Sequence, residues 1–501
     1  MALKRVLIVG GGSAGWITAA YMDAVLNGPR NKIIDITVVE SPTIGRIGVG
    51  EATVPSVRDT MRTIGVPEAD FMKATDATFK QAIKFANWLD GKGEYYYHPF
   101  ARRPAGRLDR SAPKWLSSDR SVPFANTVSV QPELCDDGRC PKTMQPRDYH
   151  APLSYAYHMD AEKLADFLCD LSVKRGVKHI QDDVVAVQLE AGAIKSVTTK
   201  SGGTLEADLF VDCTGFRSLL INGELGAPYI DYSQWLLCDR AVAMRVPHDL
   251  HFSGERRPYT TATAQDAGWI WDIGLANRRG VGYVYSSDYM SDDEAMATLK
   301  AFEGAHAADL DPRQLKFRVG RRDNPWTSNC VAIGLSSGFI EPLESTGLFL
   351  VELAVATLCE YFPFGEKMDV QAKRFNQILE DRYEEILDFI VLHYCLTRRQ
   401  DTAFWQEVQK ADRIPDRLQE SLDLWRTKSP SLSDFHNGLQ LFSHHTYEYV
   451  MYGMDFMWDK RRAGAAPTQT PQEVSEALSR ARGALPTHDE WLKAHLGSSY
   501  Q

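Results

Sequence analysis

Residues 4–15, KRVLIVGGGSAG, decide the fold of this chain. The apolar residues before Gly10 are typical of a buried strand, and residues 16–26 continue with helical periodicity. Glycines at positions 10, 12 and 15 between a strand and a helix form the dinucleotide-binding fingerprint. Gly10 permits the tight turn, Gly12 lets the backbone approach a pyrophosphate, and Gly15 lets the helix pack close to the strand. The stretch therefore predicts an α/β fold with a Rossmann-like dinucleotide site.

The next predicted strand, residues 35–39, adds a second part of the same site. It ends at Glu40, 25 residues after Gly15, where a carboxylate would hold a ribose hydroxyl. The helix after Gly12 presents free N–H groups and the positive end of its dipole to the phosphates. The candidate cofactor-binding residues of this segment are Gly10, Gly12, Ser13, Ala14, Gly15 and Glu40.

Length, composition and charge restrict the class of protein. A chain of 501 residues with 44% hydrophobic and 24% charged residues is typical of a globular protein of about three domains. Its net charge of −10, without a long basic run, argues against nucleic acid and anionic membranes as partners. The eight cysteines are scattered, and Cys135 and Cys140 alone make a poor zinc site. We therefore expect reduced thiols, no metal and a cytoplasmic protein.

The order of the predicted elements indicates a discontinuous nucleotide domain and a mainly helical C-terminal part. Helical periodicity extends over 56–83, and the irregular residues 89–150, rich in Arg and Pro, are interpreted as a lid over a site. Further helices are predicted at 161–174, 347–362, 368–399, 403–426 and 440–457, with a short terminal helix after the linker 467–471. Strands are predicted at 179–190, 193–200, 205–211, 238–246, 258–264, 268–275, 280–285 and 329–333.

Two lysines accompany apolar residues in the stretch 79–88, FKQAIKFANW. Lys80 and Lys84 stand among Phe, Ile and Trp residues, which is unusual for a solvated surface. Apolar walls lower the pKa of an amine and make it a hydrogen-bond donor or a nucleophile. The alternative is a pair of surface lysines whose stems lie along the apolar surface.

Two further stretches are candidates for a site. Trp269 and Trp271 alternate along a predicted strand, so both rings lie on one face, either in the core or in a pocket for an aromatic ligand. Residues 334–347, GLSSGFIEPLESTG, precede a predicted helix whose N-terminus could hold a small anion. Glu344 in this turn could act as a general base, and the alternative is an ordinary capped helix start.

Together these stretches resemble the flavin-dependent halogenases of the tryptophan halogenase family, from residue 4 to about residue 405. Residues 10–15 match the family's flavin fingerprint, and residues 339–347 match its signature of Phe, Pro, Ser and Gly. Trp269-x-Trp271-x-Ile273 matches the family's WxWxIP motif, except that Gly274 stands in place of the proline and removes its rigidity. The resemblance implies an FAD-binding, Rossmann-like fold of the flavoprotein monooxygenase type.

The resemblance also implies a reaction. Reduced FAD (FADH2) from a separate NAD(P)H-dependent flavin reductase reacts with oxygen, and chloride or bromide near Thr346 is oxidised to hypohalous acid. The acid passes through an internal tunnel to Lys80, and Glu344 beside it takes the proton from an electron-rich, indole-type ring. The implied halide-site residues are Ser345, Thr346 and Gly347, and the implied substrate residues are His98, Phe100, Trp269 and Trp271. The flavin strap 44–53 and the later turn add Ile47, Gly48, Val49, Gly50, Ala52, Gly334 and Leu335 to the implied cofactor-binding residues.

The implied organisation is an FAD-binding and halide-site domain at 1–360, with the lid inserted, and a helical substrate-covering region at 361–501. A homodimer is a further option. Two other functions fit parts of the sequence. An FAD-dependent aromatic hydroxylase shares the fingerprint but carries Gly-Asp where this chain has Gly334-Leu335, and a non-catalytic dinucleotide-binding redox sensor has no use for Lys80. We expect an indole substrate that is either larger than free tryptophan or lacks its amino-acid moiety.

Overall fold

The computed structural model describes residues 4–28, 31–45, 50–101, 103, 109–248, 256–365, 367–435, 440–457 and 465–497. The chain divides into two compact units, each assembled from three segments. The first unit contains Met1–Ala77, Met159–Tyr232 and Phe317–Tyr383, and the second contains Thr78–His158, Ser233–Lys316 and Glu384–Gln501. This division by compactness differs from the functional division after residue 360, which stays a prediction.

Runs of strands and runs of helices follow one another along the chain, and the elements after residue 347 are helices. The strands are β1 Lys4–Val9, β2 Ile34–Glu40, β3 Gly50–Ala52, β4 Thr78–Lys80, β5 Ala82–Ala86, β6 Tyr95–Pro99, β7 Ala156–Asp160, β8 Lys178–Gln181, β9 Val184–Glu190, β10 Ala193–Thr199, β11 Thr204–Glu206, β12 Leu209–Asp212, β13 Tyr229–Asp231, β14 Arg240–Pro247, β15 Thr260–Gln265, β16 Gly268–Gly274, β17 Arg278–Tyr285, β18 Arg313–Lys316, β19 Gly320–Arg322, β20 Trp326–Thr327, β21 Cys330–Ala332 and β22 Gly338–Phe339. The helices are α1 Ser13–Leu26, α2 Val57–Ile64, α3 Glu68–Ala74, α4 Ser111–Leu116, α5 Phe124–Val128, α6 Gln131–Asp136, α7 Ala161–Lys174, α8 Asp292–Glu303, α9 Gly347–Glu360, α10 Asp369–Cys395, α11 Ala403–Glu407, α12 Asp416–Trp425, α13 His444–Gly453, α14 Gln472–Ala484 and α15 His488–Leu496.

The first unit is built on a six-stranded sheet in the order β20-β21-β12-β1-β2-β8. β1 lies parallel to β2 and β12, and β2 lies parallel to β8. The apolar residues of β1 are buried from Val6 to Val9, as expected for a central strand of a parallel sheet. Because α1 follows β1 directly, the glycine-rich turn lies at the carboxyl end of this sheet, where α/β folds bind nucleotides. The predicted α/β, Rossmann-like fold is confirmed.

The second unit contains a seven-stranded sheet in the order β18-β14-β17-β16-β15-β5-β6. Its strand pairs are antiparallel apart from the parallel pair of β15 and β5. Apolar residues of this sheet and of α8 form one core cluster, which includes Val242, Ile270, Tyr283 and Leu299. β4 pairs antiparallel with β7, and this pairing places Lys80 opposite Ala156.

The predicted helix over 56–83 is wrong in its last part. α3 ends at Ala74, and residues 78–86 form β4 and β5. The apolar residues of this stretch fit either period, and pairing with β7 and β15 decides in favour of strands. Lys80 and Lys84 therefore lie on two different strands.

Three other predicted regions also differ from the structure. The region 89–150, predicted as irregular, contains β6 and the three short helices α4, α5 and α6, while residues 102 and 104–108 lie outside the described residues. The single helix predicted at 403–426 is two helices, because Pro415 caps the start of α12. The short terminal helix is likewise two helices, α14 and α15.

Candidate active site

The glycine-rich turn of the first unit leaves space for a ligand at one of its glycines, Gly12. Gly10 has a φ of +113°, and a Cβ there would lie 2.2 Å from the Cys213 carbonyl oxygen. A Cβ at Gly15 would lie 1.9 Å from the Gly10 carbonyl oxygen, so α1 packs directly on the turn. A Cβ at Gly12 would meet no atom within 4 Å. Gly10 and Gly15 are therefore required by packing, whereas the space at Gly12 suits the close approach of a ligand phosphate.

Glu40 lies beside this turn, as the sequence predicts. One Glu40 carboxylate oxygen accepts a hydrogen bond from Trp16 Nε1 at 3.3 Å and lies 3.2 Å from His179 Nε2. A Cβ at Gly11 would lie 2.1 Å from the Glu40 Cδ atom, so the carboxylate rests on the glycine backbone. The sequence analysis missed His179, which comes from β8 far along the chain and has no local motif.

The other candidate cofactor residues fall into two groups. Gly334 has a φ of +77°, and a Cβ there would lie 2.8 Å from the Ala14 Cβ atom, so Gly334 and Leu335 lie beside the first turn of α1. Gly50 and Ala52 are partly exposed on β3. Ile47, Gly48 and Val49 lie outside the described residues.

The turn before α9 has an unusual backbone. Glu344 and Ser345 have φ values of +67° and +63°, a left-handed conformation that costs energy for residues other than glycine. Thr346 is fully buried at the start of α9, and its Oγ1 atom has no hydrogen-bond partner among the described residues. A buried hydroxyl left without a partner at a helix N-terminus suits a small anion such as a halide.

Lys80 in the second unit is a buried cation. Its exposed fraction is 0%, and its Nζ atom lies 5.1 Å from the centre of the Phe100 ring. Lys84 is half-buried, with its Nζ atom 3.4 Å from a carboxylate oxygen of Asp136 and 3.8 Å from the centre of the Tyr95 ring. The interpretation as a surface lysine therefore fits Lys84 and does not fit Lys80.

Aromatic side chains extend from Phe100 through the second unit. The His98 ring centre lies 6.4 Å from that of Phe100 and 6.1 Å from that of Tyr449 on α13. Lys80, Phe100 and His98 thus form one continuous series of contacts. Trp269 and Trp271 lie on one face of β16, as predicted, with ring centres 6.3 Å apart.

Beyond Tyr449 this series reaches a buried group of charges. Arg103 donates hydrogen bonds to Glu448 and Asp109, and the Glu448 side chain is 5% exposed. Burial raises the pKa of Glu448 to about 7, although the Arg103 charge opposes this change. The Nε2 atom of His445 lies 3.5 Å from Asp109, and burial lowers the pKa of this histidine to about 4.

Comparison with known proteins decides the family. A family model described as tryptophan halogenase matches residues 5–468 of the chain. The chain belongs to the tryptophan halogenase family. Tryptophan 6-halogenase SttH of Streptomyces toxytricini is 38% identical in an alignment that covers 98% of each chain. Tryptophan 7-halogenase RebH of Lentzea aerocolonigenes is 39% identical in an alignment that covers 85% of this chain and 82% of the relative. The crystal structure of a tryptophan halogenase from Shewanella frigidimarina has 36% identity and a TM-score of 0.90, over 99% of this chain and 98% of that chain.

Family membership establishes the class of chemistry. This halogenase is an enzyme that depends on FADH2 and a halide, and its family generally receives reduced flavin from a separate reductase. The predicted family and the two cofactors, FAD and halide, are confirmed, and the hydroxylase and redox-sensor alternatives are not supported. Within the part of the chain that the structure describes, no helix has the length and apolar character needed to cross a membrane.

The halogenase also contains a buried hydrogen-bond network that the sequence analysis missed. The Thr78 hydroxyl donates to the Gly274 carbonyl oxygen at 2.5 Å and lies 3.3 Å from His158 Nδ1. His158 Nε2 lies 2.9 Å from the Thr260 hydroxyl. Burial, and then the charge of Lys80, hold the pKa of His158 well below its usual value. The network therefore contains a neutral histidine and joins the strand of Lys80 to the end of the tryptophan-bearing strand.

Proposed function

We propose that this protein halogenates an indole-type aromatic substrate, with Lys80 and Glu344 as its catalytic residues. The observation that carries the proposal is the complete burial of the Lys80 ammonium beside the Phe100 ring. A lysine pays a large desolvation cost when buried, so such a position is typical of a functional amine. Lys80 lies in the second unit and Glu344 in the first, and their pairing stays a prediction.

The glycine turn and its neighbours would hold the flavin. Backbone N–H groups at Gly12 and at the start of α1 would bind the pyrophosphate, and Glu40 would bind the ribose. The space at Gly12 and the position of the Glu40 carboxylate on the turn support this assignment. With reduced flavin bound there, dioxygen would be the oxidant of the halide: one oxygen atom would enter hypohalous acid and the other would leave as water, with the flavin oxidised to FAD. We propose that the strap at residues 44–53 and the turn at Gly334 and Leu335 also contact the flavin.

Ser345, Thr346 and Gly347 would hold the halide. The buried Thr346 hydroxyl would donate a hydrogen bond to the anion, and the N-terminus of α9 would add the positive end of its dipole. The left-handed backbone at Glu344 and Ser345 supports this role, because strained turns are concentrated at functional sites.

Lys80 and Glu344 would carry out the substitution on the ring. Lys80 donates a proton to the oxygen of hypohalous acid as the oxygen–halogen bond breaks and the ring carbon bonds to the halogen. The oxygen leaves as water, and the carboxylate of Glu344 accepts the proton that the ring carbon loses. Enclosure is required, because free hypohalous acid would react indiscriminately in solution.

The substrate is proposed to be an indole that lacks a free amino-acid moiety or carries a larger group. His98, Phe100 and the two tryptophans would contact its ring. Arg103, the buried cation beyond Tyr449, is already paired with two carboxylates, Glu448 and Asp109. The positive charge of Arg103 is therefore paired within the protein and does not bind a substrate carboxylate. This supports a substrate other than free tryptophan.

The test supplies the protein with FAD, a flavin reductase, NADH, bromide and either indole or tryptophan, and measures product mass. We expect a bromine mass shift with indole, and Lys80→Ala should abolish it while FAD still binds. The matched control, Lys84→Ala, should retain activity. Oxygen insertion without halide would favour the hydroxylase, and flavin binding without any product would favour the sensor. Full activity of Lys80→Ala would transfer the role to Lys84, and turnover of phenols alone would refute the indole substrate.

Two further statements belong to this proposal. A cytoplasmic location is supported by the scattered cysteines, all eight of which are free thiols. We also propose a homodimer, for which no interface residue is assigned. Sedimentation velocity measures the mass of the assembly in solution.

A further inference from the structure

We propose that His488, on the C-terminal helix α15, is a positioning residue for Lys80. This inference rests on the proposed catalytic role of Lys80. His488 is not part of any motif that the sequence analysis identified, and it lies 409 residues from the residue it contacts.

The contact is a hydrogen bond from the strand of Lys80 to a side chain. The backbone N–H of Phe79 donates to His488 Nε2 at 3.1 Å, and both residues are buried. The next backbone N–H after Lys80, that of Gln81, donates to the Pro258 carbonyl oxygen at 2.8 Å. The peptide unit after Lys80 and the one between Thr78 and Phe79 are therefore held by groups outside the β4–β7 strand pair.

The ring of His488 is fixed in the tautomer that this bond requires. Its Nδ1 atom lies 2.7 Å from the Arg256 carbonyl oxygen, which can only accept, so Nδ1 carries the proton and Nε2 is free to accept. Arg256 is itself held, because its Nε atom donates to the Ala276 carbonyl oxygen at 2.7 Å. Burial lowers the pKa of His488 to about 4, so its ring is neutral near neutral pH.

The side chain of Phe79 adds a second anchor from the same helix. Successive residues of a strand point to opposite faces, so the Phe79 ring and the Lys80 amine point in opposite directions. The ring centre of Phe79 lies 4.8 Å from that of Trp491 on α15 and 5.2 Å from that of Tyr155. Helix α15 therefore contacts Phe79 on the face of β4 opposite to the Lys80 side chain.

The start of α15 is held in place by hydrogen bonds, so it can support β4. Thr487 and Glu490 form a reciprocal capping box at its first turn. The backbone N–H of His488 also donates to the Gly138 carbonyl oxygen at 2.8 Å. Loss of the His488 acceptor would leave the buried N–H of Phe79 without a partner, and a shift of β4 would relieve this while displacing Lys80.

The experiment compares three variants of the full-length protein. His488→Phe keeps a ring but removes the acceptor, and His488→Gln restores an acceptor near the position of Nε2. Leu496→Ala is the matched control, because it removes buried apolar contacts at the other end of α15 and keeps both the His488 acceptor and the ring contact between Trp491 and Phe79. The measurements are thermal stability, kcat, KM, and the fraction of hypohalous acid that reaches the substrate, obtained by trapping the remainder with a soluble 1,3-diketone.

We expect His488→Phe to lower kcat about 10- to 100-fold with KM changed less than about twofold, since small misplacements of a reacting group have effects of this size. Total hypohalous acid should be unchanged, so the trapped fraction should rise. His488→Gln should recover most of the lost kcat. Leu496→Ala should lower stability but leave the trapped fraction as in the unmodified protein. If His488→Phe does not fold, His488→Leu takes its place.

Two results would overturn the inference. The first is a folded His488→Phe with the kcat and trapped fraction of the unmodified protein. The second is an equal change in Leu496→Ala, which would make the effect a general one of α15. Failure of the proposed function is distinguishable, because the unmodified protein itself would then form no halogenated product.

Discussion

Glu352 gives the sharpest prediction on stability. It lies on α9, five residues after Gly347, and is 6% exposed. Its carboxyl group accepts hydrogen bonds at 2.9 Å from the hydroxyls of Ser56 and Thr60. Burial raises the pKa of Glu352 from 4.5 to about 7, although the two hydroxyl donors oppose this change.

The sign and size of the effect follow from proton linkage. The folded protein binds this proton more tightly than the unfolded chain, so the group stabilises the fold below about pH 4.5, and this contribution is lost as the pH rises through about 7. Each tenfold change in proton affinity corresponds to about 1.4 kcal/mol, so the full contribution is about 3 kcal/mol. Most of this contribution, about 2–3 kcal/mol, is lost between pH 5 and pH 8.

Glu352→Gln removes the titration while keeping the shape of the side chain. We expect the difference in unfolding free energy between the variant and the unmodified protein to move by about 2–3 kcal/mol in favour of the variant from pH 5 to pH 8. Urea unfolding followed by circular dichroism measures this difference, and infrared spectroscopy detects the carbonyl stretch of the protonated acid below pH 7. Glu360→Gln, at the exposed end of the same helix, is the matched control and should leave the pH dependence unchanged. A difference that is constant from pH 5 to pH 8, or that moves in the opposite direction, would refute the reasoning.

Two further predictions concern the first unit. Thr346→Val removes a buried hydroxyl without a described partner, so we expect the KM for halide to rise about 10-fold while the free energy of unfolding stays the same or increases, which steady-state kinetics and urea unfolding measure. Equal halide KM values in the two proteins would contradict the proposed halide contact. Gly15→Ala should lower both stability, by about 1–3 kcal/mol, and FAD affinity, because its Cβ would lie 1.9 Å from the Gly10 carbonyl oxygen. Gly12→Ala, where the Cβ meets open space, should lower FAD affinity alone in a fluorescence titration, and an unchanged affinity would argue against phosphate binding at this position.

The nucleotide-binding part could be predicted because its signal is local. Gly10 adopts a φ of +113°, which favours glycine, and Gly15 touches the carbonyl of Gly10, so both requirements are met within one short stretch. The turn at Thr346 could be predicted for the same reason. In each case a short stretch of sequence carries the pattern, while the close contact at Gly10 is made by the distant Cys213 carbonyl and the halide-binding role of Thr346 stays a prediction.

The supports of Lys80 could not be predicted because they are distant in sequence. The stretch around Lys80 has an apolar pattern that fits a helix or a strand, and the choice depends on pairing with Tyr157 and its neighbours on β7. His488 and His158 carry no motif, and their roles depend on which backbone group the fold brings to each ring. A lone histidine gives no signal of such a contact.

Gly274, where the chain departs from the family motif, is restrained by a hydrogen bond from another strand. Proline at this position would fix φ through its ring, and glycine has no such restraint. In this protein the carbonyl oxygen of Gly274 accepts the Thr78 hydroxyl at 2.5 Å, and the same hydroxyl lies 3.3 Å from His158 Nδ1. Because Thr78 stands two residues before Lys80, the bond that restrains the end of the tryptophan-bearing strand also restrains the strand of the lysine. The restraint on Gly274 therefore comes from Thr78, a residue outside the motif. The rigidity of this backbone cannot be predicted from the motif alone.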